Sequence, residues 1–340
     1  MDFFHPGVIS KAISTAANCC GSINLDNFEL VKSELSTLMS LLHREEKTEL
    51  ETSILCFSNL IQSITTLRSV SGLETISSKG LMRTLTSLLE RYIRDGDNSN
   101  VSFRSYSYLI KIITTCITHS SKLLEEVVNQ GIISKLANGM EKLVKSNSKT
   151  SDPQTIALLD LTDKLFPELP IDFIPINYYE NYIPRRYRFP LKDPLIANQK
   201  VVKNVSNENV NDKEEMEDEE NLQDEKQVED PQEIFFKKTP SFLLNLGTSI
   251  ITHLIKFNNS SVNPDIRDRS LIIILKFLYF SDSETLCELL KDVPISNFIS
   301  NLLSSSEIYP RVIAVLMSNL LMEKLPEIFS KYFKRGKKKY

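Results

Sequence analysis

The sequence predicts an all-α chain folded as a right-handed solenoid of short helical repeats. Segments 13–23 and 54–64 share one pattern at an offset of 41 residues, with Asn, Ser and Ile at matching places. A period of about 40 residues in helical sequence is typical of armadillo or HEAT repeats. One such unit cannot bury its own apolar face, so neighbouring units must stack. The 340 residues include only nine glycines and no tryptophan, and Leu, Ile and Ser dominate, which favours helix over sheet.

Spacing and capping patterns predict individual helices. A first helix is expected over 8–23, where apolar residues recur at helical intervals. Two pairs of residues fit the capping box, in which an N-cap residue and the residue three positions later exchange side-chain and backbone hydrogen bonds. We expect Asp26 with Glu29 at the start of the second helix, and Ser281 with Glu284 at a later one.

A second repeated phrase marks the turn between two helices of one repeat. It begins at Gly80, recurs 51 residues later at Gly131, and recurs with proline in the glycine place at Pro294. Gly and Pro break a helix and redirect the chain. The larger offset implies a loop insertion, which the polar segment 94–100 would supply. Further helices are expected over 102–119, 153–166, 240–256 and 264–280.

An acidic segment interrupts the repeats. Residues 203–233 hold thirteen acidic side chains and three lysines, a net charge of −10, which leaves +6 for the rest of the chain. Since this segment has almost no large apolar residue to offset its ordering entropy, we predict that it is disordered. The predicted organisation is armadillo-like repeats over 1–170 with a truncated first repeat, a Pro/Tyr-containing and then acidic disordered linker over 171–233, armadillo-like repeats over 234–335, and a basic tail over 336–340.

The composition argues against several classes of function. Purely apolar runs such as Leu271–Leu275 are far shorter than the ~20 residues of a membrane span, so no membrane is expected. A charge of +6 spread over the folded parts does not favour nucleic acid. No phosphate-binding, nucleophile-elbow or zinc-protease motif occurs, so we expect no catalytic residue, no metal and no cofactor. The cysteines are expected to be small buried residues in a reducing compartment: Cys19, Cys20, Cys56, Cys116 and Cys287.

The two ends of the chain are expected to expose apolar faces, because terminal repeats need polar caps and these lack them. Phe3, Phe4 and Val8 are the residues concerned at the first end. At the other end, Lys334–Lys339 is similar to a short nuclear-import patch.

Three asparagines are the candidate residues for binding a peptide or protein partner. Asn18, Asn59 and Asn319 fall at equivalent places on the third helix of their repeats. In peptide-binding armadillo proteins, such an Asn bonds the backbone of an extended peptide. Nuclear-import receptors pair it with a Trp, which this chain lacks, so a transport role is disfavoured. A structural role for the three asparagines is the alternative.

Four short phrases carry a resemblance to a known family: Ala16–Cys20, Ser53–Phe57, Glu288–Val293 and Leu325–Phe333. In this order they resemble the N-terminal armadillo-repeat region of HECT-type ubiquitin-protein ligases. The branch is that of the ubiquitin-fusion-degradation ligases and their animal counterpart, the thyroid-receptor-interacting ligase. The animal branch carries a WWE module that needs tryptophan. This chain has none, so a fungal-type arrangement fits better.

The resemblance implies a region that recruits a protein substrate, or ubiquitin on that substrate, for ubiquitin-dependent degradation in the cytoplasm or nucleus. The family's thioester-forming cysteine lies in a HECT domain downstream, and none of the five cysteines matches its motif. A ubiquitin-conjugating enzyme would therefore be engaged only through that missing domain. The alternative is a stand-alone armadillo scaffold or adaptor without ligase activity.

Overall fold

The computed structural model describes residues 6–146, 152–170, 173, 191–192 and 230–330. These residues confirm the all-α fold class, since helices account for nearly all of their regular structure. The chain divides into two compact units. The larger unit is Met1–Pro167 with Pro231–Tyr340, and the smaller is Glu168–Asp230.

The larger unit is built from α-helices of 7 to 20 residues. Before the smaller unit, the chain forms α1 (Pro6–Cys20), α2 (Leu25–Leu41), α3 (Lys47–Thr66), α4 (Val70–Ser77), α5 (Leu81–Asp95), α6 (Phe103–His119), α7 (Ser121–Asn129), α8 (Ile132–Ser146) and α9 (Asp152–Asp163). After it come α10 (Pro231–Lys238), α11 (Ser241–Ser260), α12 (Pro264–Phe280), α13 (Ser283–Leu289), α14 (Ile295–Leu303) and α15 (Ile308–Lys324). A 3₁₀ helix over Gly96–Asn98 follows α5 within the predicted insertion.

The smaller unit contains a short pair of strands. β1 (Leu169–Pro170) and β2 (Leu191–Lys192) run parallel, with Leu169 paired to Leu191 and Pro170 to Lys192. Most of the predicted acidic linker lies outside the described residues, as does the basic tail.

From α4 onward the helices repeat as groups of three, each with a short first helix, a second helix and a third helix, whereas α2 and α3 form a pair before them. The third helices stack in sequence, α1 on α3, α3 on α6, α6 on α9, α9 on α12 and α12 on α15. Second helices stack as well, with α5 on α8 and α8 on α11. Because α7 packs on α10, and α9 on α12, the stack continues directly across the segment that forms the smaller unit.

The predicted turns between first and second helices are confirmed. Gly80 has φ +84° between α4 and α5, and Gly131 has φ +74° between α7 and α8. A side chain is strained in this left-handed region, which explains glycine at both places. Pro294 takes the corresponding place between α13 and α14.

Both predicted capping boxes are wrong in position. The box before α2 is formed by Asn24 and Asn27, whose side-chain oxygens accept from each other's backbone N–H groups at 3.0 and 2.8 Å. Asp26 therefore lies in the first turn instead of at the cap. At α13 the N-cap is Asp282, which accepts from the N–H of Thr285 at 2.7 Å, while Ser281 ends α12. In each case a different residue caps the helix from the one predicted: the amide oxygen of Asn24 at α2 and the carboxylate of Asp282 at α13.

The end of α1 also differs from prediction. The helix ends at Cys20 instead of reaching residue 23, because the N–H of Gly21 closes the last turn on the carbonyl of Asn18 at 3.1 Å.

Apolar residues are exposed on the last helix of the stack: Ile308, Val315 and Met322 on α15. Their spacing of seven places them on one helix face. Val8 is exposed as expected, whereas Phe3 and Phe4 lie outside the described residues.

Polar contacts join α9 to α12, two helices that the segment 168–230 separates in sequence. The Asn263 side chain donates to Asp152 at 2.9 Å, and Arg269 forms an ion pair with Asp160. The Lys276 ammonium lies 2.7 Å from a carboxylate oxygen of Asp163 and donates to that residue's backbone carbonyl at 3.3 Å. The Lys276 side chain is only 3% exposed, so its charge depends on this partner.

Replacing Asp163 with alanine should destabilise the larger unit, because it leaves the Lys276 charge buried without its counter-ion. We expect a loss of about 3 kcal/mol in the free energy of unfolding, measured by urea denaturation. The double variant D163A/K276M should recover most of the loss, since methionine buries a similar volume without charge. An unchanged midpoint in D163A would contradict a buried ion pair at this seam.

Candidate binding face of the third helices

The stacked third helices together form one surface of the larger unit, and their exposed side chains lie next to one another on it. On α3 and α6, the residues with no or little exposure alternate at helical spacing with half-buried and exposed polar residues. Because the two helices pack together, these polar residues meet along the line between them. The result is a concave feature of the surface, which we call the α3–α6 groove.

The α3–α6 groove encloses a cavity of about 250 Å³. Apolar side chains from each helix form part of the lining, and hydroxyl, amide and basic groups form the rest. The lining residues are Ser58, Ile61, Gln62, Thr65, Lys111, Ile112, Thr115 and His119.

Hydrogen bonds within the helices determine what these polar groups offer a ligand. The hydroxyls of Thr65 and Thr115 donate to carbonyls one turn back, at 2.7 and 2.8 Å, so they face the groove as acceptors. The Nδ1 of His119 lies 2.8 Å from the carbonyl of Thr115. A carbonyl only accepts, so this bond requires the proton on Nδ1 and leaves Nε2 to accept when the ring is neutral.

The donors of the groove are Gln62 and Lys111, both exposed. Their amide and ammonium groups, together with the threonine acceptors, match the alternating carbonyl and N–H groups of an extended peptide. Lys111 additionally favours an acidic side chain. The groove is therefore equipped for binding a polypeptide segment.

The predicted asparagines occupy different environments. Asn18 and Asn319 are exposed, whereas Asn59 is half-buried and donates its side-chain amide to the carbonyl of Ala17 at 2.8 Å. That carbonyl belongs to the last turn of α1, where carbonyl groups have no N–H donor within their own helix. Asn59 thus connects α3 to the end of α1. A shared ligand-binding role for the three residues stays a prediction.

Sequence reasoning missed the groove residues of α6. Lys111, Thr115 and His119 follow one another at intervals of four, which places them on one helix face. A polar stripe of this kind on an otherwise apolar helix is a signal that the sequence does contain. The repeat alignment instead drew attention to asparagines at equivalent positions.

The cysteines do not form a catalytic or metal centre in the described part of the chain. Cys20, Cys56 and Cys116 are buried, but Cys19 and Cys287 are exposed, so the expectation that all five are buried is wrong. Cys19 lies on the outward side of α1, next to exposed Asn18. Burial raises the pKa of Cys116 to about 12, which keeps that thiol protonated at neutral pH.

Two negative findings apply to the described residues alone. There, no group of three or more His, Cys, Asp or Glu side chains is arranged to hold a metal ion. Within the same ranges, no helix has the length and apolar character needed to cross a membrane.

The fold is that of an armadillo-type repeat protein. A designed armadillo repeat protein superposes with a TM-score of 0.53 at 11% sequence identity, over 94% of this chain and 96% of the designed one. Identity this low supports the fold alone. No family model matches the sequence.

The sequence itself is similar to ubiquitin-protein ligases. It is 27% identical to the E3 ubiquitin-protein ligase UPL3 of Arabidopsis thaliana, over 98% of this chain and 17% of the relative. It is 23% identical to the E3 ubiquitin-protein ligase TRIP12 of Danio rerio, over 98% and 18%. A probable ubiquitin fusion degradation protein of Schizosaccharomyces pombe shares 24% identity over 98% and 17%.

These relatives confirm the resemblance inferred from the short phrases. The similarity extends over nearly the whole chain, through the repeats on both sides of the segment 168–230. The chain spans less than a fifth of the length of each relative.

Replacing Asn59 with alanine should lower the free energy of unfolding by about 1 kcal/mol, because the carbonyl of Ala17 loses a part-buried hydrogen bond. Asn319→Ala is the matched control, since that side chain is exposed, and should change stability by less than about 0.5 kcal/mol. Chemical denaturation followed by circular dichroism measures both. Equal effects of the two substitutions would remove the structural role assigned to Asn59.

Proposed function

We propose that this chain is the armadillo region of a HECT-type ubiquitin-protein ligase, and that it recruits the protein to be modified. The recruited partner is a substrate, or ubiquitin already attached to it, and the outcome is ubiquitin-dependent degradation. The chain acts in the cytoplasm or nucleus in this proposal. Ubiquitin transfer itself would take place on a HECT cysteine outside this chain.

One observation carries the proposal. Relatives named as ubiquitin ligases or as a ubiquitin fusion degradation protein, from a plant, a fish and a fission yeast, align with 98% of this chain. An aligned region that holds no catalytic motif contributes something other than the transfer step. Stacked helical repeats provide extended binding surfaces, which supports recruitment as that contribution.

The α3–α6 groove is the place on this surface where we expect the recruited polypeptide to bind. Its donors and acceptors suit a main chain in extended conformation, and its lysine suits an acidic residue beside it. Ser58 and Gln62 on α3 face Lys111 and Thr115 on α6 across the cavity. Both helices also pack against other helices, α3 on α1 and α6 on α9, which favours a groove that is preorganised for its ligand.

Replacing Lys111 with glutamate should weaken binding about tenfold, because a charged hydrogen bond is lost and an acidic ligand is repelled. The probes are ubiquitin, a reporter protein with ubiquitin fused to its N-terminus, and the reporter alone, each titrated against the immobilised chain. Lys256→Glu on α11 is the control, since it makes the same charge change at an exposed residue away from the groove. Binding of the fusion that is equal in K111E and wild type would place recruitment elsewhere.

This chain alone should form no thioester with ubiquitin. Cys20, Cys56 and Cys116 are buried, and none of the five cysteines, including the exposed Cys19 and Cys287, matches the HECT motif. The chain is incubated with activating enzyme, conjugating enzyme, ATP and ubiquitin, and then separated without reducing agent. We expect no ubiquitin adduct that dithiothreitol removes. Such an adduct on any cysteine would assign the transfer step to this chain.

The alternative, a stand-alone armadillo scaffold, can be distinguished from the ligase by the reading frame downstream of these repeats. A reading frame that continues into a HECT domain supports the ligase, whereas a natural product that ends after these repeats supports the scaffold. The three relatives, each more than five times as long as the aligned segment, favour the first outcome.

A further inference from the structure

Two cysteine thiols touch between the first two stacked third helices. The sulfur atoms of Cys20, the last residue of α1, and Cys56, on α3, lie 3.2 Å apart. Both side chains are buried, with exposed fractions of 5% and 1%. A disulfide has a sulfur–sulfur distance of about 2.05 Å, so bond formation needs an approach of only about 1 Å.

The surrounding hydrogen bonds hold the two residues in this position. The hydroxyl of Ser63 on α3 donates to the backbone carbonyl of Cys20 at 2.9 Å. One turn earlier, Asn59 donates to the carbonyl of Ala17 at 2.8 Å. These two hydrogen bonds fix the end of α1 to α3 beside the sulfur contact, so the two thiols are held facing each other.

We propose that Cys20 and Cys56 are a redox modification site, at which a hydroperoxide converts the two thiols into a reversible disulfide. The proposal is independent of the ubiquitin-related function. In the first step the Cys20 sulfur attacks one peroxide oxygen, the O–O bond breaks, and a sulfenic acid and one water form from hydrogen peroxide. In the second step the Cys56 sulfur attacks the Cys20 sulfur, the S–O bond breaks, and a second water leaves. Two thiols are oxidised and one peroxide is reduced.

The hydrogen bond between the thiols determines which sulfur attacks the peroxide and which attacks the sulfenic acid afterwards. Either sulfur could be the donor in this hydrogen bond; with Cys56 as the donor, the bond lowers the pKa of Cys20 and raises that of Cys56, which burial raises further. The nucleophilic thiolate is thus the Cys20 sulfur, while Cys56 holds the proton until the second step. Cys116 differs, since it is buried and its pKa is raised to about 12 by desolvation.

The disulfide would tie α1 to α3 by a covalent bond at the first seam of the stack. It closes a loop through α2, and such a cross-link stabilises mainly by restricting the unfolded chain. For this loop and chain length, the expected gain in melting temperature is roughly 5 °C. A thiol reductant such as dithiothreitol should return the melting temperature to its starting value.

The test uses the whole chain, oxidised briefly with dilute hydrogen peroxide and then alkylated. Peptide mapping without reduction should recover the Cys20 and Cys56 peptides joined, and mapping after dithiothreitol should recover them apart. The melting temperature of the wild type should rise on oxidation. That of Cys56→Ser should not, while the control Cys287→Ser should behave as the wild type does.

Several outcomes would overturn the proposal. One is oxidation of Cys19 or Cys287 alone, with Cys20 and Cys56 both recovered as alkylated thiols. Another is a disulfide between Cys19 and Cys56, which Cys19→Ser would abolish. Tandem mass spectrometry of the joined wild-type peptides, with fragmentation between Cys19 and Cys20, decides between these outcomes even if a serine variant fails to fold.

Discussion

The larger unit depends on the stacking of third helices on one another. A helix such as α3 buries apolar side chains against α1 on one side and α6 on the other, and Leu50, Ile54, Leu60 and Ile64 are wholly inaccessible. Burial of this kind contributes about 1.5–3 kcal/mol for each large side chain. Since every repeat supplies half of two interfaces, each repeat is stable only in the company of its neighbours.

Stacking also supplies hydrogen-bond donors to the carbonyl groups at helix C-termini. The last carbonyls of a helix have no donor within it, and here side chains from another repeat supply donors. Lys142 on α8 donates to the carbonyls of Ile93 and Arg94 at 3.0 and 2.6 Å, at the end of α5. Lys324 on α15 donates in the same way at the end of α12, and desolvation there lowers its pKa. A cation at a helix C-terminus also interacts favourably with the helix dipole.

The repeats could be predicted from the sequence because period and apolar spacing are properties of the whole chain. Gly80 and Gly131 could be interpreted individually, since few residues tolerate a positive φ. The helix caps were harder to predict, because several neighbouring polar residues can satisfy the same cap geometry. At α2 the cap is Asn24, and the predicted Asp26 lies in the first turn. The α3–α6 groove needed the structure for another reason. Its residues come from two helices whose relative rotation is set by packing, so no single segment shows that Gln62 and Lys111 line one cavity.

The position of the segment 168–230 has a consequence for how the chain folds and diverges. The contact between Asp152 and Asn263 joins residues 111 apart in sequence, so it closes a loop that includes the whole segment. Loop-closure entropy grows only logarithmically, by about 0.6 kcal/mol for each doubling of length. The connection between α9 and α10 can thus lengthen or shorten greatly in evolution at little thermodynamic cost. Kinetics is less tolerant, since contacts this distant in sequence form late, which leaves the apolar surface of α9 uncovered until α12 arrives.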